Sequence, residues 1–251
     1  MNSAPAMSFR YQQTDKGFQP LDGLLLVFFC FLIGVIFALA KPHCKTERIK
    51  AWIIMLLSSS TLSFSGSVAV LGGLRDKGFN WTGAFIYQND SFLTRTVALF
   101  FAASNIMDLI VGFFYYAPHM DPLSTTTHHI CYLFLVYILL DEHYCCGFNL
   151  CFFMEIPTFI LAFGSVFPAC RSDILFGVFF VIARLAFNVF LSYSLYIASL
   201  PGEGAYVHPN AGFIFWVSMP ILFLHVFWFY KWSSSYSSKV RKRKQSRSKN
   251  K

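Results

Sequence analysis

Two adjacent histidines, His128 and His129, stand near the start of the apolar stretch LSTTTHHICYLFLVYILL at 123–140. An imidazole takes up and releases a proton near neutral pH, so a histidine here can serve as a general base or acid. Adjacent residues of a helix point about 100° apart, so only one of the two rings can face the centre of a bundle squarely. A lone histidine here is more often a packing residue, but the tandem pair favours a functional site.

Three ionisable residues, Asp108, Glu155 and Arg184, lie inside other apolar stretches. Each costs about 2.5–3.5 kcal/mol on membrane-insertion scales, so each requires a partner or a function. Residue counts place all three roughly 14–18 Å from one membrane face and the histidines roughly 9 Å from the same face. We therefore expect the three to meet near the midplane, with Asn188 on the same helix face as Arg184. Two interpretations stay open, a catalytic cluster and an ion pair that only holds helices together.

A metal centre is not predicted. Membrane di-iron enzymes carry several clusters of the HxxHH type, whereas residue 125 is a threonine and the remaining histidines stand alone in the sequence. The candidate catalytic residues are therefore His128, His129, Asp108 and Glu155, with Arg184 and Asn188 completing an intramembrane polar cluster, and no bound cofactor is expected.

The composition identifies the elements that must position these residues. Of the 251 residues 56% are hydrophobic and only 13% charged, about half the charged fraction of an ordinary soluble domain. The apolar stretches are long enough to cross a bilayer as helices, which predicts an all-α polytopic bundle of about seven transmembrane helices. These spans are drawn at about 21–40, 51–74, 96–117, 123–140, 147–167, 174–199 and 212–231.

Basic residues and sequons predict the orientation of the chain. Four Lys and Arg residues follow the first span and eight lie in the tail 239–251, and such residues are retained on the cytoplasmic side. The sequons at Asn80 and Asn89 fall in a loop that this orientation places in the lumen, where they are candidate glycosylation sites. The segment 1–20 is then lumenal or extracellular and without a cleaved signal, 21–232 is one membrane domain, and 233–251 is a basic cytoplasmic tail.

The order of four segments, SNIMDLIVGFF, HHICYLFLV, FFMEIPTFILAF and RSDILFGVFFVIARLAFN, resembles the TLC domain of ceramide synthases and related membrane proteins, over about 51–230. The resemblance implies that His128 or His129 is the general base of acyl transfer from acyl-CoA to a sphingoid amine. The acidic HDxxD stretch that follows the histidine pair of the synthases is missing. Asp108 also stands farther before the histidines than the corresponding acid of the synthases does. The sequence is therefore more similar to the small TLC domain-containing proteins associated with membrane phospholipid composition.

The predicted function is a role in lipid metabolism or membrane lipid homeostasis. As an enzyme, the protein would be an acyl-CoA-dependent acyltransferase that acts on a sphingoid or another membrane lipid. A non-enzymatic regulator of phospholipid composition is the alternative, followed by a transporter or a seven-helix receptor. The expected partners are membrane lipids and further subunits, in a homo- or hetero-oligomer, and not nucleic acid, because the net charge of +8 is concentrated in the tail. The expected location is the endoplasmic reticulum, with the plasma membrane as the alternative.

Overall fold

The computed structural model describes residues 17–81, 90–120, 122–200 and 211–249, and these ranges contain nine α-helices and no strand. The helices are α1 Pro20–Ala40, α2 Glu47–Lys77, α3 Phe92–Tyr115, α4 His128–Asp141, α5 Cys145–Cys151, α6 Ile156–Val166, α7 Asp173–Phe179, α8 Phe187–Ser199 and α9 Ala211–Lys249. Short 3₁₀ turns lie at Lys41–His43, Ala117–His119, Phe152–Glu155 and Pro168–Cys170, and π-helical segments at Pro122–Thr127 and Phe180–Ala186.

The prediction of an all-α polytopic bundle is confirmed. Within the described ranges, six stretches are long and apolar enough to span a membrane: Pro20–His43, Glu47–Lys77, Phe92–Tyr115, Cys145–Val166, Asp173–Ser199 and Ile214–Lys242. The predicted span 123–140 is not among these six stretches. The chain there forms a π-helical segment of 6 residues followed by the 14-residue α4. The last helix continues without a break through the basic tail to Lys249.

Local sequence explains where the long helices begin and end. The Thr46 hydroxyl accepts a hydrogen bond from the backbone N–H of Ile49 at the start of α2, and Ser91 does the same for Thr94 in α3. At the end of α2, Gly78 adopts a φ of +55°, a left-handed conformation that glycine tolerates. These residues fix the ends of two helices that contribute many of the buried residues of the bundle.

The helices pack so that α2 and α3 lie at the centre of the bundle. Helix α3 packs against both α1 and α4. Helix α2 contacts α6 and the Phe152–Glu155 turn that precedes it. Helix α8 and the π-helical Phe180–Ala186 pack against α9. Large apolar side chains such as Phe31, Phe64 and Phe113 remain 70% or more exposed on the outside, as expected where helices face lipid.

A buried charge cluster closes one end of the bundle. The Arg95 guanidinium is ion-paired with Asp22 at the start of α1 and with Asp90, and its Nη1 donates to the Leu140 carbonyl at 2.9 Å. The Asp90 carboxylate also accepts from the backbone N–H of Cys146 at 3.0 Å. Burial raises the pKa of the Asp90 carboxyl, against the opposing effects of the Cys146 N–H and Arg95. The Arg95 cluster, Asp22, Asp90 and Arg95, thus joins α1, α3 and the α4–α5 corner.

Gly66 of α2 is expected to be intolerant of any side chain. A Cβ at this position would overlap the backbone of Phe152 and Phe153, whereas a Cβ at Gly72 of the same helix would meet open space. Gly66→Ala should therefore lower the free energy of unfolding by about 1–3 kcal/mol. Gly72→Ala is the matched control, and it should raise stability slightly because alanine favours the helix by up to about 1 kcal/mol. Thermal unfolding in detergent compares the two variants, and equal melting temperatures would contradict the packing.

Candidate functional site

Five of the predicted site residues line one cavity of about 340 Å³. They are His128 and His129 of α4, Asp108 of α3, Glu155 of the 3₁₀ turn, and Arg184 of a π-helical segment. The remaining walls combine apolar side chains of α2, α3, α6, α7 and α9 with a few polar ones, which include Ser58, Ser104, Asn105, Thr125 and Thr158. The structure thus brings together side chains that are up to 76 positions apart in the sequence, from 108 to 184.

His129 is the histidine that faces the centre of the bundle. Its ring is 5% exposed, and its Nδ1 lies 3.5 Å from Oδ2 of Asp108, an ion-pair distance too open for a hydrogen bond. The other carboxylate oxygen, Oδ1 of Asp108, accepts a hydrogen bond from the Tyr116 hydroxyl. Asp108 and Tyr116 are themselves 5% and 2% exposed, so the chain of three polar groups is shielded from solvent. A carboxylate in this place orients the imidazole and stabilises its protonated form.

The end of α3 lies close to the start of α4. Helix α4 packs against α3, which brings the His129 ring beside Asp108. At the end of α3, the side chain of Met120 packs directly on Gly112. A Cβ at residue 112 would displace the flexible end of the Met120 side chain.

His128 lines the same cavity from a different direction. Its ring lies edge-on to Tyr132, with centroids 4.5 Å apart, and 5.8 Å from the ring of Trp228 in α9. The His128 and His129 rings are themselves 5.8 Å apart. The structure therefore gives the two histidines different surroundings, aromatic for His128 and acidic for His129.

Arg184 contacts Glu155 and not Asp108. Its Nη2 lies 3.4 Å from Oε1 of Glu155 and donates to the Thr158 hydroxyl at 2.6 Å, while its Nε donates to the carbonyl of Met154 at 2.9 Å. The carbonyl is available because Pro157 begins α6 and the preceding turn is 3₁₀. The three charges that the sequence placed in one cluster thus form two separate groups that line the same cavity.

Asn188 belongs to a second cavity of about 300 Å³ between α4, α8 and α9. Its side-chain nitrogen lies 3.1 Å from Nδ1 of His225, and the same ring nitrogen is 3.1 Å from the Arg184 carbonyl, within the π-helical segment. Glu155 and Phe101 line both cavities and separate them. Sequence reasoning missed His225, which stands alone in its stretch, and Tyr116, which was placed near the end of a span.

Of the two predicted glycosylation sites, Asn80 is exposed just beyond the end of α2. Asn89 lies outside the described residues.

A comparison with protein families finds that the model of the TLC domain matches residues 24–233. A comparison with curated proteins finds no significant match. The matched range begins within α1 and ends within the last membrane-spanning stretch, and it includes the residues that line both cavities. Together with the six apolar helices, it identifies an integral membrane protein.

Proposed function

Because the chain belongs to the TLC-domain family, membrane proteins of lipid metabolism and homeostasis, we propose that it transfers an acyl group from acyl-CoA to an amine or hydroxyl of a membrane lipid. The observation that carries the proposal is the His129–Asp108 pair, backed by Tyr116, at the wall of a cavity that also holds Glu155 and Arg184. A buried imidazole paired with a carboxylate is an arrangement that general-base catalysis uses.

In the proposed reaction, His129 takes the proton of the attacking N–H or O–H group. The nucleophile forms a bond to the carbonyl carbon of the thioester, and the tetrahedral intermediate collapses as the carbon–sulfur bond breaks. The proton on His129 then passes to the departing thiolate, so that the imidazole returns to its neutral form. Asp108 stabilises the imidazolium while it exists, and Tyr116 holds the carboxylate in position through its hydrogen bond to Oδ1.

Glu155 supplies the second carboxylate of the cavity. Arg184 is ion-paired with it, and Asp108 and His129 line the same cavity. With neutral histidines the cavity then contains two negative groups and one positive group, which favours an amine as the acceptor over an anionic headgroup.

We further propose that the protein lies in the membrane of the endoplasmic reticulum and that the cavity opens towards the cytoplasmic side, where acyl-CoA is available. The basic link after α1 and the basic end of α9 support this orientation. At the same end of the bundle, Lys41 lies 4.3 Å above the ring of Tyr115, and Lys239 lies 3.6 Å from Asp173 at the start of α7.

Lipid analysis of cells that express the protein tests the proposal. Wild-type protein should change the acyl-chain profile of one lipid class, and the double variant His128→Ala, His129→Ala should abolish that change at equal protein level. The matched control removes two exposed histidines outside the cavity, His43→Ala with His119→Ala, and should behave as wild type. An unaltered lipid profile with the cavity variant, relative to wild type, would contradict catalysis.

A non-enzymatic regulator is the second candidate, and one observation favours it. Nε and Nη2 of Arg184 are engaged by Glu155, Thr158 and the Met154 carbonyl, as in a contact that only holds helices together. In that case an exchange of the two charges, Glu155→Arg with Arg184→Glu, should preserve the effect on lipid composition. Acyl transfer through this cavity should instead be lost on exchange, because the charge beside the acceptor changes sign.

A further inference from the structure

Asn105 presents a free hydrogen-bond donor at the wall of the histidine cavity. The residue lies on α3, three positions before Asp108, and both line the cavity. Its side chain is buried, with 5% exposure, and its Nδ2 has no hydrogen-bond partner within the described part of the chain. A buried amide without a partner costs about 1–3 kcal/mol, so a ligand that accepts its hydrogen bond recovers free energy.

The other donors on the α3 side are already engaged. The Ser104 hydroxyl, which also lines the cavity, donates to the Phe100 carbonyl at 2.9 Å, and the Tyr116 hydroxyl donates to Asp108. Elsewhere in the cavity, Nε and Nη2 of Arg184 donate to Met154, Thr158 and Glu155. An incoming ligand with an acceptor oxygen on the α3 side of the cavity therefore meets the Asn105 amide.

The charges around Asn105 restrict what this ligand can be. A carboxylate or phosphate would lie beside the Asp108 carboxylate, one helical turn along the same face, and would be repelled. A carbonyl oxygen accepts a hydrogen bond from one N–H of Nδ2 without carrying a net charge. The site therefore favours an ester, amide or thioester.

We propose that Asn105 Nδ2 binds the carbonyl oxygen of the acyl group that the cavity receives, a proposal that rests on the proposed function and names the group it recognises. The amide lies on the same wall as the His129–Asp108 pair, so the carbonyl is held beside the base. When the carbonyl oxygen takes on negative charge in the tetrahedral intermediate, the same donor stabilises it, a contribution that reaches 10²- to 10³-fold for such donors in other enzymes.

The test compares ligands that differ only in the carbonyl group. Purified full-length protein in detergent is titrated with palmitoyl-CoA and its thioether analogue S-hexadecyl-CoA, and with palmitoyl lysophosphatidylcholine and its ether analogue, in the absence of any acceptor. Wild-type protein should bind the carbonyl member of at least one pair about five- to tenfold more tightly, the effect of one neutral hydrogen bond. The variants Asn105→Leu and Asn105→Asp should bind both members of that pair equally.

Ser63→Ala provides the matched control. Its hydroxyl is also buried without a partner in the described residues, but Ser63 does not line the cavity, so this variant should keep the carbonyl preference. The proposal is overturned by a preference that survives in both Asn105 variants, by equal affinities in wild type, or by the binding of neither pair. A preference that depends on Asn105, in a protein whose histidine variant leaves cellular lipids unchanged, retains the carbonyl site and overturns only the transfer reaction.

Discussion

Asp108→Asn is expected to lower the rate of acyl transfer by about 10³- to 10⁴-fold while the helical bundle stays folded. Asp108 faces the Nδ1 side of His129 at 3.5 Å, and its negative charge favours the tautomer that leaves the other ring nitrogen free to accept a proton. An asparagine has nearly the same shape but no charge, so it can neither stabilise the imidazolium nor select the tautomer. The loss should appear in the turnover rate and leave acyl-CoA binding nearly unchanged.

Single-turnover assays on purified protein measure this loss. Tyr116→Phe removes the hydroxyl that holds Oδ1 of Asp108 and should cost less, about tenfold, because the carboxylate remains. Asp173→Asn is the control, since Asp173 is a partly exposed carboxylate paired with Arg171 and Lys239 outside the cavity, and it should leave the rate unchanged. A decrease of less than tenfold for Asp108→Asn would contradict the assigned role.

Arg95→Leu is expected to destabilise the bundle by about 3–5 kcal/mol, the range for breaking a buried ion pair from one side. The side chains of Arg95 and Asp22 are 3% and 4% exposed, so the variant leaves buried carboxylates without their cationic partner. It also leaves the Leu140 carbonyl at the end of α4 without its donor. The connection between α1, α3 and the α4–α5 corner should then open.

Thermal unfolding in detergent compares this variant with Arg75→Leu. Arg75 forms an ion pair with Asp76 that is 80% and 55% exposed, and pairs of this kind contribute about 0–1 kcal/mol. Asp90→Asn should cost less than Arg95→Leu, because burial already disfavours the charge of Asp90 and raises its pKa. Equal melting temperatures for Arg95→Leu and Arg75→Leu would show that the Arg95 cluster contributes no net stability.

The sequence predicted the helical architecture because length and apolarity alone decide which stretches can cross a membrane. It could not predict the partner of each intramembrane charge. Residue counts place Asp108 and Glu155 at similar depths, so depth alone does not assign their partners. Asp108 pairs with His129 and Glu155 with Arg184 because of the way in which α3, α4 and the π-helical segment are rotated about their axes. The residue spacing alone does not fix these rotations.

Other parts of the site depend on contacts between distant segments. Arg95 stands one residue before the span that was drawn from 96, where a basic residue is ordinarily solvated, so its burial had no signal in the sequence. The second cavity is lined mainly by apolar side chains of α4, α8 and α9, which look like lipid-facing residues until the helices are assembled. Asn105 was overlooked because a single amide carries no recognisable pattern.

The contact of Gly66 with the backbone of Phe152 and Phe153 also fixes the position of Glu155, the last residue of the 3₁₀ turn that these residues form. Groups that take part in a reaction must be held within about 0.5 Å of their productive position. Helix α2 provides a fixed surface for this turn, although Gly66 has no side chain of its own. In the proposed reaction, the placement of the Glu155 carboxylate therefore depends on the absence of a side chain at residue 66.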